Sequence, residues 1–92
     1  MKIDDTLKEL EGLADKKGIR VAYEVMSGDL GNGGGGLCKV KGEYRVIIDK
    51  RSTPGERVTV LAQALATFSL DDVFVAPEVR ELIAKAAAFR RS

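Results

Sequence analysis

LCKVKGEYRVIIDKRSTPGERVTVLAQALAT, residues 37–67, is where the fold is decided. Two apolar-rich runs, 37–40 (LCKV) and 44–48 (YRVII), flank Lys41-Gly42-Glu43, which is a hairpin pattern. A three-residue loop pairs Val40 with Tyr44 and puts Cys38, Val40, Tyr44, Val46 and Ile48 on one face. A two-residue loop splits that apolar set between the faces, so the longer loop is expected. Leu37 and Ile47 then point outward. Thr53-Pro54-Gly55-Glu56 comes next. Thr53 suits an N-cap, Pro54 the first helical position, and Glu56 completes a capping box. The helix is expected to run to about Ser69, with Val58, Leu61, Leu65 and Phe68 on its inner stripe. Ala62, Ala64 and Ala66 allow close packing.

Working outward, residues 4–17 read as a helix with Ile3, Leu7, Leu10, Leu13 and Ala14 on one side. Asp4, Asp5 and Thr6 are N-cap candidates, and Thr6 with Glu9 has capping-box spacing. Lys16, Lys17 and Gly18 form a stop signal. Residues 19–26 (IRVAYEVM) alternate, with Val21, Tyr23 and Val25 facing one way and Arg20, Ala22 and Glu24 the other. Past the central helix, Val73-Phe74-Val75 is a short strand or an extended segment crossing the core. Pro77 starts a last helix, with Val79, Leu82, Ile83, Ala86 and Phe89 inward and Arg90 and Arg91 at its C-terminal end. The expected fold is a single α+β domain over residues 1–92, in the order α-β-β-β-α-(β)-α, with a small, mainly antiparallel three-stranded sheet.

Bulk composition restricts the function classes. The chain has 92 residues, 45% of them hydrophobic and 32% charged, with a net charge of +1. That balance gives no global attraction to nucleic acid or anionic membrane. At this length a folded chain buries only about 60–65% of its unfolded surface, so the core is thin. No run approaches the roughly 18 apolar residues of a membrane span. The opening MKIDDTLKELEG lacks the apolar run of a signal peptide. A single cysteine, Cys38, forms no intramolecular disulfide and fits a reducing cytoplasm. Histidine is absent, which excludes His-based acid–base chemistry, Ser-His and Cys-His nucleophile pairs and His-ligated zinc.

Gly33-Gly34-Gly35-Gly36 is the most conspicuous local feature. Gly31, Gly33 and Gly36 match G-x-G-x-x-G, but the dinucleotide fingerprint must open a helix, and here the strand-like LCKV follows. A phosphate-binding Lys-Ser/Thr pair is also missing after Gly36. A connector between two strands is the expected role. As a ligand-binding candidate, Gly33, Gly34, Gly35 and Gly36 combine with Lys39, Lys41 and Arg45. With Arg20 and Glu24, these side chains make a mostly basic outer sheet face. Single-strand binders also place stacking aromatics on such a face, whereas Tyr23 and Tyr44 fall on the other one. Nucleic acid or a nucleotide is therefore the alternative partner, not the favoured one.

The run from the hairpin through Arg57-Val58-Thr59 into the central helix resembles the short bacterial zincin-type metallopeptidases that cleave phage-type repressors. In that family the helix carries H-E-x-x-H, and the pattern falls here on Gln63, Ala64, Leu65, Ala66 and Thr67. Gln63 and Thr67 stand where the family has metal-binding histidines, and Ala64 where it has the catalytic glutamate. The resemblance covers about residues 3–70 and implies the family's fold without its peptidase activity, a pseudoenzyme with no metal.

Elsewhere, Asp71, Asp72, Glu78 and Glu81 are carboxylates that favour helix ends, and Cys38 has no base to activate it. No cofactor and no catalytic residue is expected. The reading as a whole is a non-enzymatic cytoplasmic interaction domain, self-associating as a homodimer or meeting another protein. Leu37 and Ile47 are its interface candidates.

Overall fold

A computed structural model describes residues 2–25 and 35–91, with the backbone alone from 89 to 91. The elements are α1 (Ile3–Lys16), β1 (Arg20–Glu24), β2 (Gly35–Val40), β3 (Glu43–Asp49), α2 (Pro54–Leu65) and α3 (Pro77–Arg91). This is the expected α+β class and order, without a strand at 73–75. There the chain is irregular, with Val75 buried and Phe74 exposed.

Local chemistry sets most boundaries. Thr53 accepts a hydrogen bond from the Glu56 amide, and the Glu56 carboxylate accepts one from the Thr53 amide, the capping box expected. α1 differs at its start. It begins at Ile3 with Lys2 as N-cap, and Thr6 donates to the Lys2 carbonyl instead of capping. Thr6 thus lies inside the first turn, where its hydroxyl bonds back four residues. At the other end Gly18 adopts φ 75°, with Gly18 N–H on Asp15 and Ile19 N–H on Ala14. Those two bonds make a Schellman cap. α2 stops at Leu65, earlier than Ser69, and a turn follows in which Thr67 donates to the Ala64 carbonyl at 2.7 Å.

The sheet order is β1-β3-β2. β2 and β3 pair antiparallel, but β1 and β3 pair parallel, so the sheet is mixed instead of mainly antiparallel. β1 and β2 form the two edges, with β3 between them. α1 and α2 lie side by side on one face of the sheet, and α3 packs against both of them. Leu10, Val46, Ile48, Leu61, Leu65 and Val79 are fully buried between these layers. α2 is enclosed on more sides than its predicted stripe required, because α1, α3 and the sheet all contact it. Val60, Ala62 and Ala64 are therefore buried as well.

The hairpin overturns one expectation. Val40 pairs with Glu43, so the loop has two residues, Lys41 and Gly42. Both have positive φ, 52° and 83°, as a type I′ turn requires. That turn matches the right-handed twist of the strands, which outweighs grouping Cys38 and Val40 with the core. The register therefore shifts by one residue and every side chain of β2 changes face. Leu37 now packs against the core opposite Val46, while Cys38 and Val40 lie on the outer face opposite Arg45 and Glu43.

Candidate functional site

The outer face of the sheet has no described element packed on it, since α1 and α2 cover the opposite face. Strand alternation places Arg20, Ala22 and Glu24 of β1 there, with Glu43, Arg45, Ile47 and Asp49 of β3 and Gly36, Cys38 and Val40 of β2. The registers arrange them in rows across the strands. Arg20, Arg45 and Cys38 form one row, Ala22, Ile47 and Gly36 the next, and Glu24 and Asp49 the third. A basic row and an acidic row thus flank an apolar one. Like charges sit side by side within each charged row, which is unfavourable between neighbouring strands.

Arg45 is half-buried, and its Nε, shielded from solvent, has no acceptor among the described residues. Asp49 is held from its own end of the sheet. Arg51 donates to it through Nε and Nη2, each at 3.1 Å, and through its amide at 2.9 Å. Those bonds hold the Asp49 carboxyl below its ordinary pKa. Glu24 and Arg20 are exposed at the β1 edge.

The predicted ligand-binding set does not gather here. Gly33 and Gly34 lie outside the described residues. Gly35 and Gly36 are the first residues of β2, paired with Ile48 and Ile47. The G-x-G-x-x-G match therefore ends inside a strand, with no helix N-terminus to meet a phosphate. Lys39 moves to the inner face with the register shift, its ammonium 5.1 Å from the centre of the Tyr44 ring. That ring meets Phe68 edge-on at 4.9 Å. Lys41 sits in the hairpin turn, and of Lys39, Lys41 and Arg45 only Arg45 remains on the outer face. Of the interface candidates, Ile47 is on the outer face and Leu37 is not. Phe89, Arg90 and Arg91 have no described side chains.

The positions where the resemblance puts H-E-x-x-H do not fit a zinc ion. Ala64 is a buried methyl group, Gln63 is a half-buried amide, and Thr67 lies beyond the end of α2. Among the described residues, no three His, Cys, Asp or Glu side chains come together as metal ligands, and Asp71, Asp72, Glu78 and Glu81 form no such group. Asp72 instead accepts from Lys17 at 2.9 Å, tying the end of α1 to the α2–α3 connection.

Sequence reasoning missed a second feature, an open groove of about 520 Å³ along the β1 edge, lined by Glu11, Asp15, Arg20, Tyr23 and Glu43 among others. In it the Tyr23 hydroxyl donates to Glu11, and the Arg57 guanidinium lies 4.9 Å from the centre of the same ring. Burial, then the bond to Glu11, pushes the Tyr23 hydroxyl up to about 12. Alternation marked Tyr23 as inward, but the partner twelve residues upstream in α1 carried no signal. No described helix is long and apolar enough to cross a membrane. No family model, no curated protein and no solved structure matches the chain.

Proposed function

We propose that this chain is a non-enzymatic, cytoplasmic protein-interaction domain that self-associates, built on a zincin-like frame that has lost its metal site. The observation that carries the reading is the outer sheet face, whose centre is Ala22, Ile47 and Gly36 with Cys38 beside them, uncovered by any described element. An apolar strip on an open sheet gains by meeting another surface, and protein is the partner that offers a matching one. The lost metal site is supported by the amide, methyl and hydroxyl of Gln63, Ala64 and Thr67, which supply neither the ligands nor the carboxylate of a zinc peptidase. The lone Cys38 and the absence of histidine support the cytoplasmic and non-enzymatic parts.

A face of three short strands covers about 15 by 17 Å, so it belongs with weak interfaces below about 1,200 Å² of total buried surface. Sedimentation equilibrium at about 1 mM, where so small an interface is populated, is expected to give an average mass above that of one chain. The mass of a single chain at that concentration removes the reading.

A further inference from the structure

We infer that the outer face binds a second copy of itself, sheet against sheet, about a two-fold axis running across the strands over Ala22, Ile47 and Gly36. The inference rests on the self-association proposed above and specifies its geometry.

Charge complementarity selects the orientation. The basic row lies two residues before the apolar row, and the acidic row two residues after it, on both β1 and β3. Two faces can meet about a two-fold axis only if that axis lies in the plane between them. An axis along the strands sets Arg45 opposite the partner's basic row, which is repulsive. An axis across the strands reverses them, so each basic row meets the partner's acidic row. Arg20 then faces Glu24 of the partner subunit, and Arg45 faces Asp49 of the partner subunit, with the apolar rows in contact between them. The like-charge neighbours that each chain carries within its rows acquire opposite charges from across the interface.

The dimensions allow it. Packed sheets lie about 10 Å apart with strands about 30° from alignment. The charged rows sit about 7 Å from the axis, so that rotation displaces facing residues by only about 3 Å. An arginine side chain spans such an offset. Gly36 keeps the centre of the contact low on the β2 side. The pair at Arg20 and Glu24 dominates, because Asp49 already accepts from Arg51.

The test uses Arg20→Glu and Glu24→Arg, both at exposed positions, with circular dichroism to verify that each variant folds. Each alone places like charges opposite one another twice and is expected to weaken self-association on the order of tenfold. An equimolar mixture of the two variants restores association, since every facing pair is again of opposite sign. Raising salt weakens the wild-type dimer and the mixed dimer alike. If both variants associate as strongly as wild type, the sheet-face geometry is wrong while the self-association reading stands. If each is weakened and the mixture is not rescued, the face is used in another orientation and the two-fold axis is wrong. A wild-type chain that is monomeric at about 1 mM overturns the geometry and the reading together.

Discussion

On the inner face of β3, Val46 and Ile48 have no solvent-exposed surface and meet Leu10, Leu61 and Leu65. On the outer face of the same strand, Arg45 and Asp49 flank a half-buried Ile47. One strand of seven residues thus carries two different jobs, separated only by the parity of residue number. The inner set supplies folding free energy through burial, which is indifferent to direction along the strand. The outer set runs Glu43, Arg45, Ile47, Asp49, with Arg45 and Asp49 on opposite sides of Ile47, and in the dimer proposed above that asymmetry sets the orientation of the partner. Side chains a single residue apart therefore answer to different physical demands.

The sharpest way to break this division is to remove methyl groups on each side. Ile48→Ala, and likewise Leu65→Ala beneath it in α2, is expected to cost about 2–5 kcal/mol, because each opens a cavity in a fully buried layer. Ile47→Ala is expected to cost less than about 1 kcal/mol in stability while weakening self-association. Urea denaturation of the three variants checks both halves. A loss below about 1 kcal/mol at Ile48, or equal losses at Ile47 and Ile48, ends the distinction between the faces.

A smaller effect is expected at the turn that assigns β2 to its faces. Gly42 has φ 83°, and an added Cβ there meets nothing within 4 Å, so Gly42→Ala is strained by its backbone alone. The expected cost is about 1 kcal/mol. Lys41→Asn, at φ 52°, should shift stability the other way by a few tenths of a kcal/mol or more, about what a residue suited to type I′ geometry contributes. No change in either variant shows that the two-residue turn does not hold the register.

The smallest effects are in pH dependence, and they fall on opposite limbs for the two faces. Tyr23, on the inner side, has its pKa raised from 10.0 to about 12, so the folded chain holds that proton more tightly than the unfolded chain. This stabilisation is complete below pH 10.0 and is lost as pH rises toward 12. Asp49, on the outer side, has its pKa lowered from 3.8 by the bonds from Arg51. Its contribution is present above pH 3.8 and is lost as pH falls through the lowered value. Melting curves across pH should show a flatter alkaline limb in Tyr23→Phe and a flatter acid limb in Asp49→Asn. A variant whose limb matches wild type shows that the partner bond is not formed in solution.

Residues 53–56 illustrate what was legible from sequence. A Thr, a Pro and a Glu at capping-box spacing act within one turn, so their meaning does not depend on the rest of the chain, and α2 starts where they say. The alternation of β1 and the parity of β3 were legible for the same reason. Each strand has one side that is plainly apolar, and burial of that side is the only stable choice. β2 was not legible in this way. Leu37 lies on one parity and Cys38 and Val40 on the other, so its pattern supports either face, and the φ angles of Lys41 and Gly42 decide. That single shift took Lys39 off the predicted basic face and Leu37 off the predicted interface, leaving Arg45 and Ile47.

The sequence by itself determined the class, the element order, the capping box of α2, the glycine stop of α1 and the alternation of two strands, all of them consequences of local sterics and short-range hydrogen bonds. Only the tertiary structure decided that β1 lies beside β3 and runs parallel to it, because that pairing joins segments far apart in the chain and no residue of either strand specifies it locally. It alone aligned Arg20 with Arg45 and Glu24 with Asp49, residues 25 apart in the chain that no local rule connects. The ordering of charge across the outer face is a product of that register.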